Sequence, residues 1–481
     1  MIRINPDDKI GRINPNIYGM FIEHLGRCIY GGIFDEDSPL SDSEGYRQDV
    51  LEACRRLAPP LLRWPGGNFA SGYHWQDGIG PKDERPRKLD LAWFAEESNR
   101  FGTHEFIGFC RRLDTQPYIC VNAGTGTPEE AAAWVEYCNN TTNTYYANLR
   151  RRYGQVTPFQ VRYWGLGNEV YGAWQIGHLD ATDYAKKALE MAKMMRWTDP
   201  SIVLVACGLG QPGWDVPVLE ALRGAAEYLS VHCYVGSEDY YRNVTAVMAM
   251  EDILERTKAS ICQVYGVEDA TEAPVKVAVD EWNVWYRAQS NERFDHDRLR
   301  EVYDLSDALC VATFLHLFQR QCQAVTMANF AQMVNVIAPI LTSSDGLLLQ
   351  ATYYPLVLLR QHSGEVTLRV QVECDMIKPQ TRDMRPMPYL DVAASLSEDR
   401  KMLYLSVVNR HESEAIETPV IIEGARAEGL RGWEVNGPEV HARNSFEQPN
   451  LVAAQPVEAN LGRGRYTFPA HSHTVLEVGL R

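Results

Sequence analysis

The chain has 481 residues, of which 45% are apolar and 23% are charged, and its formal net charge is −16. This length is too great for one ordinary core, so the sequence predicts a large domain and a smaller one. The acidic balance disfavours nucleic acid and anionic membrane surfaces as partners, because both require clustered Lys and Arg. It favours a neutral substrate instead.

The N-terminal segment and the cysteines indicate the compartment. Residues 1–9 contain no apolar stretch that could act as a secretory signal, and no run is long enough to span a bilayer. The eleven cysteines are scattered, and none shows C-x-x-C spacing. Such a pattern is typical of reduced, packed thiols. The sequence therefore predicts a cytoplasmic protein.

From residue 15 to about residue 360, short apolar runs alternate with longer amphipathic stretches, which predicts a parallel sheet with helical connections. Eight runs can be strands, the number that a closed (β/α)8 TIM barrel needs. The predicted strands are centred on Tyr18–Phe21, Leu61–Trp64, Tyr118–Val121, Arg162–Gly165, Ile202–Val205, Leu229–His232, Val275–Ala278 and Ala324–Met327.

Helices are predicted between these strands, for example over Thr182–Trp197, with Thr182 as N-cap, and over Asp304–Phe318. After about residue 360 short alternating strands follow one another without a long helix, which predicts an antiparallel, jelly-roll-like β-sandwich. The predicted domains are therefore a barrel over residues 15–360 and a sandwich over residues 361–481. The chain begins with a further strand, and its pairing with either domain stays open, so residues 1–14 could join the sandwich.

Two of the predicted barrel strands lead into a glutamate. Glu169 follows strand four in the segment Tyr163–Glu169, and Glu281 ends strand seven in the segment Val277–Trp282. Catalytic groups of a barrel lie where its strands end, and a pair of carboxylates there suggests an acid/base and a nucleophile acting on a glycosidic bond. Spacing does not assign the two roles. The alternative, two ordinary surface glutamates, is disfavoured because both follow apolar runs with aromatic residues nearby.

Other polar and aromatic residues accompany these strand ends. Arg63 could keep the nucleophile ionised, and Asn68 follows two glycines where backbone can approach a sugar closely. The structural alternatives are a salt bridge for Arg63 and a plain turn for the glycines. The polar stretch over residues 287–300 is predicted to be a mobile loop above the pocket. Indole faces pack well against sugar rings. Several tryptophans lie near the proposed motifs, and some of them will pack in the core instead. They are Trp64, Trp75, Trp93, Trp164, Trp174, Trp282 and Trp285.

Histidine and carboxylate pairs raise the question of a metal. The pairs Glu23-His24 and His104-Glu105, together with His232, offer ligand types that zinc and iron use. However, no H-x-x-x-H or H-E-x-x-H spacing occurs among them, and hydrogen-bonded structural histidines are the commoner explanation. The sequence therefore predicts no metal and no cofactor.

Taken together, these motifs resemble those of the α-L-arabinofuranosidases of glycoside hydrolase family 51. The resemblance covers essentially the whole chain. It is carried by Ile17–Tyr30, Arg63–Phe69, Asp77–Pro81, Gly165–Glu169, Asp280–Asn283 and Ala331–Val336. It implies a retaining exo-hydrolase that removes terminal, non-reducing α-L-arabinofuranosyl units from arabinan, arabinoxylan or their oligosaccharides. It also implies an intracellular enzyme that needs no metal and forms a homo-oligomer, a hexamer or a trimer.

Carried over by position, the resemblance implies that Glu169 is the acid/base and Glu281 the nucleophile. Asn168 is implied to bind the sugar hydroxyl next to the anomeric carbon, and Tyr234 to contact the nucleophile. Burial and neighbouring negative charge are expected to raise the pKa of Glu169. The residues implied to hold the furanose hydroxyls are Glu23, Asn68 and Gln332, and those expected to support the site are Arg63, His232, Trp93, Trp174 and Trp282.

Five positions depart from the family's usual form. Val170, Tyr171 and Ala173 follow the acid/base residue, and Met20 and Ile22 lie in the first strand. Changes at the rim of the substrate pocket would alter which leaving group or sugar is accepted. A related barrel glycosidase with β-xylosidase or endoglucanase activity therefore stays an alternative. A non-catalytic sugar-binding protein is a further alternative, which the presence of both carboxylates disfavours.

Overall fold

The computed structural model describes residues 1–286, 299–379, 381, 384–459 and 464–481. Most of the loop predicted at residues 287–300 lies outside the described residues. The strands, in chain order, are β1 Ile2–Arg12, β2 Gly19–Phe21, β3 Leu61–Trp64, β4 Lys88–Asp90, β5 Ala95–Glu97, β6 Gln116–Cys120, β7 Tyr163–Gly165, β8 Val203–Cys207, β9 Tyr228–Val235, β10 Lys276–Val284, β11 Val325–Ala331, β12 Ile340–Thr342, β13 Leu347–Leu349, β14 Val366–Val372, β15 Met376–Ile377, β16 Met387–Pro388, β17 Leu390–Leu396, β18 Met402–Asn409, β19 Ile416–Ile422, β20 Ala427–Asn436, β21 Ala453–Val457, β22 Arg465–Phe468 and β23 Ser472–Leu480. The α-helices are α1 Gln48–Leu57, α2 Thr103–Leu113, α3 Pro128–Asn139, α4 Tyr145–Arg152, α5 Ala181–Thr198, α6 Pro212–Ala221, α7 Tyr240–Val244, α8 Val247–Tyr265, α9 Leu305–Arg320 and α10 Tyr353–Gln361.

Eight parallel strands close into a barrel in the order β10-β11-β2-β3-β6-β7-β8-β9. Each of them overlaps one of the runs named from the sequence, so the predicted (β/α)8 barrel is confirmed. Most residues of these strands are apolar because helices cover the outer face of the barrel and side chains fill its interior. Counted in chain order, Glu169 follows the fourth barrel strand, β7, and Glu281 lies near the end of the seventh, β10.

The two helices predicted in detail are present, with one correction. Helix α5 begins at Ala181, and its N-cap is Asp180, whose carboxylate accepts a hydrogen bond from the backbone N–H of Asp183. The predicted N-cap Thr182 is therefore wrong, because this contact of Asp180 already satisfies an N–H of the first turn. Among the described helices, none combines the length and the apolar character needed to cross a membrane.

The C-terminal part is a β-sandwich in which nine of the described strands follow the order β21-β20-β23-β18-β17-β14-β1-β19-β22. The first strand of the chain, β1, pairs antiparallel with β14 and parallel with β19. Residues of the first strand, Ile2 and Ile4, are buried with Leu405 and Leu476 in a core separate from that of the barrel. Both ends of the chain therefore contribute strands to this sheet.

Helix α9 joins the barrel and the sandwich. It is buried along almost its entire length because it contacts the barrel strand β10 and the sandwich strands β17 and β18. At this contact Asp391 accepts hydrogen bonds from His316 Nδ1 at 2.6 Å and from Arg410 Nη2 at 2.8 Å, and it pairs with Arg320 at 3.0 Å. Burial opposes the charge of Asp391, but the two arginines outweigh it and hold its pKa well below the usual range.

We expect Asp391→Ala to lower the free energy of unfolding by about 3–5 kcal/mol, because it would leave Arg410 buried without its carboxylate partner. Urea unfolding followed by circular dichroism measures the change. The matched control is Asp375→Ala, which removes an exposed aspartate of the same domain and should change stability by less than about 0.5 kcal/mol. Equal unfolding midpoints for the two variants would contradict a stabilising role of Asp391 as the partner of Arg410.

Candidate active site

Glu169 and Glu281 meet at the carboxyl-terminal end of the barrel, together with His232 on β9. One oxygen of each carboxylate and one ring nitrogen of His232 all lie within 4.8 Å of one another. The side chains of Glu169, His232 and Glu281 are 14%, 7% and 7% exposed, respectively. The fold therefore brings together two glutamates that are 112 residues apart in the sequence (281 − 169).

Each oxygen of the Glu281 carboxylate is held by a donor. Arg63 Nη1 donates to Oε1 at 2.6 Å, and the Tyr234 hydroxyl donates to Oε2 at 2.7 Å. Arg63 Nη2 also donates to the side-chain oxygen of Asn168 at 2.7 Å. Burial disfavours the guanidinium charge, but Asp280 and Glu281 outweigh it and raise the pKa of Arg63. Arg63 therefore fixes Glu281 and Asn168 relative to each other.

Asp280 also belongs to this site, although its motif in the sequence predicted no role for it. Its Oδ2 accepts a hydrogen bond from the Tyr118 hydroxyl at 2.7 Å, and its Oδ1 lies 3.2 Å from His232 Nε2. Burial would raise its pKa, but Arg63 and His232 outweigh burial and lower the pKa to about 2. Neighbouring residues of a regular strand face opposite sides. Strand β10, however, shifts its register against β9 between Ala278 and Glu281, and this irregularity lets both carboxylates face the interior.

Glu169 accepts three hydrogen bonds. Its Oε1 is 2.8 Å from His232 Nδ1 and 3.3 Å from the Tyr171 hydroxyl, and its Oε2 accepts from Trp174 Nε1 at 3.1 Å. Burial raises the pKa of Glu169, but these donors outweigh burial and lower it. The expectation of a raised pKa is therefore wrong, because it counted the burial and the nearby charge and omitted the donors.

His232 is the cation that balances the carboxylates around it. Burial disfavours its protonation, but the charge of Glu281 and the hydrogen bonds to Asp280 and Glu169 outweigh burial and raise its pKa to about 10. A protonated His232 donates from both ring nitrogens. It therefore links Glu169 to Asp280 and lies between the two candidate catalytic glutamates.

Glu23 faces the same space from the end of the first barrel strand. Its Oε1 accepts hydrogen bonds from the Phe69 N–H at 3.0 Å and from Trp93 Nε1 at 2.9 Å, and its Oε2 accepts from Gln332 Nε2 at 3.1 Å. Burial and, secondarily, the charge of Glu281 raise its pKa to about 8. A Cβ atom on Gly67 would lie 3.1 Å from Glu23 and 3.2 Å from Glu281, so the glycine leaves room for both carboxyl groups.

We expect Glu23→Gln to keep kcat/KM within about tenfold of the wild type at pH 6, because Glu23 is neutral below its pKa of about 8. Glu23→Ala also removes the hydrogen-bond acceptors and should lose about 100-fold. Above pH 8 the wild type gains a second negative charge beside Glu281, so its kcat/KM should fall. Glu23→Gln should lack this decline. Identical alkaline limbs for the wild type and Glu23→Gln in kcat/KM against pH would contradict the prediction.

Buried side-chain atoms of the site without a hydrogen-bond partner in the described part of the chain include two amide atoms that face the space between the carboxyl groups. They are Nδ2 of Asn168 and Oε1 of Gln332, both buried. Buried polar atoms are nearly always paired, so unpaired ones in a pocket indicate a polar ligand. Asn68 is half-buried and begins the short helix that supplies the Phe69 N–H to Glu23.

The structure does not bring every predicted residue to the carboxylates. Trp174 reaches Glu169 and is 65% exposed, and Trp93 reaches Glu23. Trp282, in contrast, packs in the core, where its ring stacks on Phe314 at a centroid distance of 5.4 Å. Trp282 can therefore support the site only through packing behind β10.

The remaining histidine pairs do not form a metal cluster. His24 contacts Glu97 at 2.8 Å, and His104 contacts the Tyr137 hydroxyl at 2.6 Å. Within the described ranges, the group that combines three possible metal ligands is Glu169, His232 and Glu281 itself. Its members already bond to one another and to neighbouring protein groups, so hydrogen bonding accounts for their positions.

The five departures from the family form lie in different environments. Met20, Ile22 and Val170 are buried, so they do not form part of an exposed rim, contrary to expectation. Ala173 is exposed beside Trp174, and Tyr171 contacts Glu169 directly. From the sequence, Tyr171 was only a position that differs from the family's usual form, and no role was predicted for it. Its contact with the acid/base candidate follows from the turn that carries both residues.

Comparison with known proteins agrees with this geometry. The family model "Alpha-L-arabinofuranosidase C-terminal domain" matches residues 280–472, and "Alpha-L-arabinofuranosidase 1 domain" matches residues 53–252. Alpha-L-arabinofuranosidase C from Emericella nidulans is 42% identical over 99% of this chain and 96% of its own length. The intracellular exo-alpha-(1->5)-L-arabinofuranosidase 1 of Bacillus subtilis is 35% identical over 93% and 92%, respectively.

A solved structure is similar over the whole chain. The thermostable GH51 alpha-L-arabinofuranosidase from Thermotoga petrophila superposes with a TM-score of 0.91 at 44% identity and covers 99% of both chains. The barrel, the sandwich and the sequence motifs are thus shared with enzymes of one family. This chain belongs to the α-L-arabinofuranosidases of glycoside hydrolase family 51.

Proposed function

We propose that the protein is a retaining exo-hydrolase that releases terminal, non-reducing α-L-arabinofuranosyl units by double displacement. Its substrates would be oligosaccharides derived from arabinan or arabinoxylan. The observation that carries the retaining mechanism is the approach of a Glu169 oxygen to within 4.8 Å of a Glu281 oxygen. Retaining enzymes hold their two carboxyl groups about 5–5.5 Å apart, whereas inverting enzymes need about 6.5–9.5 Å for a water molecule.

The partners of the two glutamates support different roles. Glu281 is paired with Arg63 and bonded by Tyr234, which suits a carboxylate that must attack as an anion. Glu169 is bonded to the ionisable His232 and to the exposed Trp174, at the side where a leaving group would depart. A leaving group stacked on Trp174 would exclude water from Glu169, and such desolvation favours the protonated acid. Glu281 is therefore the proposed nucleophile, and Glu169 the acid/base.

The proposed reaction has two steps. In the first, a Glu281 oxygen bonds to the anomeric carbon while the bond to the leaving oxygen breaks, and the proton of Glu169 passes to that oxygen. In the second, Glu169 takes a proton from water as the water oxygen attacks the anomeric carbon and displaces Glu281. Free arabinose leaves with its original configuration, and Glu169 is again protonated.

The unpaired atoms of the site support recognition of sugar hydroxyls. Nδ2 of Asn168 can donate to the hydroxyl next to the anomeric carbon, since Arg63 holds the other end of its amide. Oε1 of Gln332 can accept from a second hydroxyl beside Glu23. Asn68 and Tyr234 complete the proposed set of sugar contacts.

The cellular setting is also proposed. The Bacillus subtilis relative is named as an intracellular enzyme, which supports a cytoplasmic location for this chain. Homo-oligomerisation, as a hexamer or a trimer, rests on the family resemblance alone. Sedimentation velocity would measure the number of subunits.

One experiment tests both the substrate and the stereochemistry. The wild type, with EDTA present, is mixed with 4-nitrophenyl α-L-arabinofuranoside while proton NMR records the first anomer released. We expect rapid release and α-arabinose before mutarotation. Initial β-arabinose would reject the retaining mechanism. Hydrolysis of 4-nitrophenyl β-D-xylopyranoside in preference to the furanoside would favour the xylosidase alternative.

A further inference from the structure

Tyr171 lies two residues after Glu169 in a tight turn. The N–H of Gly172 donates to the Glu169 carbonyl at 2.7 Å, and the N–H of Leu179 donates to the Val170 carbonyl at 2.9 Å. Glu169 itself has a φ of 43°, in the left-handed region. This turn brings the Tyr171 hydroxyl back to within 3.3 Å of Glu169 Oε1.

The Tyr171 ring is held by aromatic neighbours. It lies edge-on to Trp214 at a centroid distance of 5.5 Å and edge-on to Trp174 at 6.2 Å. Trp214 is anchored in turn, since its ring stacks on Tyr184 at 5.3 Å and its Nε1 donates to the Cys207 carbonyl at 2.9 Å. The position of the hydroxyl is therefore determined by packing as well as by its hydrogen bond to Glu169.

The donors divide unequally between the two oxygens of Glu169. A carboxylate oxygen has two lone-pair sites, and those of Oε1 face His232 Nδ1 at 2.8 Å and the Tyr171 hydroxyl at 3.3 Å. Oε2 accepts only from Trp174 Nε1 among the described donors, at 3.1 Å. Oε2 thus has a free lone-pair site, and it lies on the side of the exposed Trp174.

We propose that Tyr171 is a positioning residue which, with His232, occupies Oε1 of Glu169 and so directs the catalytic proton to Oε2, the oxygen that faces the leaving group. This inference rests on the proposed role of Glu169 as acid/base. The proton moves from Oε2 to the leaving oxygen, which also takes the electron pair of the broken C–O bond. Tyr171 gains and loses no proton in this step, because it only donates a hydrogen bond.

The positioning role of Tyr171 predicts that the effect of Tyr171→Phe on kcat/KM depends on the leaving group. A 2,4-dinitrophenolate departs without protonation, whereas an alkoxide needs the acid. Tyr171→Phe should therefore lower kcat/KM for methyl α-L-arabinofuranoside about tenfold, the scale of one hydrogen bond, and change it less than about twofold for the 2,4-dinitrophenyl glycoside. Loss of this donor should also raise the pKa of Glu169, so the fall of kcat/KM that reports Glu169, which lies below the Glu23 pKa of about 8, should move upward by up to about one pH unit.

The matched control is Tyr184→Phe, which removes a hydroxyl from the same aromatic cluster without touching Glu169. It should affect both substrates equally and leave the pH profile in place. Equal losses on both substrates for Tyr171→Phe, or an unmoved Glu169 ionisation in kcat/KM against pH, would overturn the proposal. Glu169→Ala, measured on the same pair, separates the two claims, because a missing leaving-group dependence there would reject the proposed function itself.

Discussion

Glu281→Gly is expected to lower kcat on every arabinofuranoside by about 10⁴- to 10⁶-fold, the scale seen when a covalent nucleophile is removed. None of the other carboxylates described at the site can replace it. Glu169 must supply the proton, Asp280 is bonded to Tyr118 and His232, and Glu23 is neutral up to a pH of about 8. Stopped assays with 2,4-dinitrophenyl α-L-arabinofuranoside measure the loss, because this substrate needs the least help from the acid.

Sodium azide should restore part of this activity. The glycine variant leaves a space beside Arg63 and Tyr234, the two donors that bind the Glu281 carboxylate, and a small anion can enter it. Azide then attacks from the face that Glu281 occupied and forms the β-glycosyl azide, with inverted configuration. Glu281→Gln, which fills the space with a neutral amide, is the matched control and should show no rescue. Turnover within tenfold of the wild type, in a variant with unchanged thermal unfolding, would reject Glu281 as the nucleophile.

The sequence was sufficient to predict the barrel and its two glutamates for a local reason. A parallel strand covered on both faces is a nearly continuous apolar run, so a run such as that of β8 is visible without knowledge of its neighbours. The same holds for Glu169 and Glu281, because a polar residue directly after such a run lies at the functional end of the barrel. These features depend on consecutive residues, and sequence patterns record them directly.

The features that were missed depend on contacts between distant segments. Asp280 faces the interior because β10 shifts its register, and no residue type marks that shift. The lowered pKa of Glu169 depends on His232, which lies 63 residues later in the chain. Trp282 resembled a sugar-binding tryptophan because it follows Glu281, but in the barrel it faces Phe314. Side-chain direction at a strand end is a tertiary property, and the sequence alone does not determine it.

Glu169→Ala is expected to separate the two steps of the reaction. Departure of an alkoxide needs the proton of Glu169, so hydrolysis of methyl α-L-arabinofuranoside should slow by about 10²- to 10⁴-fold, the usual contribution of a general acid. Departure of 2,4-dinitrophenolate does not need it, so formation of the Glu281 intermediate should remain fast. Hydrolysis of this intermediate should be slow, however, because the variant lacks the base that activates water. The variant should therefore release a burst of dinitrophenol equal to the enzyme concentration, followed by a slow steady rate.

Azide should rescue Glu169→Ala by a different route from Glu281→Gly. As an anion it needs no base, and it attacks the Glu281 intermediate from the side of the missing acid/base, so the product is the α-glycosyl azide with retained configuration. β-Azide from Glu281→Gly together with α-azide from Glu169→Ala would assign both roles, since Arg63 and Tyr234 still hold Glu281 in the alanine variant. The reversed pair of anomers would mean that the roles are exchanged, and β-azide from both variants would mean that the displacement is single. Glu169→Gln is the matched control and should show no rescue, because its amide oxygen can still accept from Tyr171, while its NH2 group fills the space that azide would enter and cannot act as an acid.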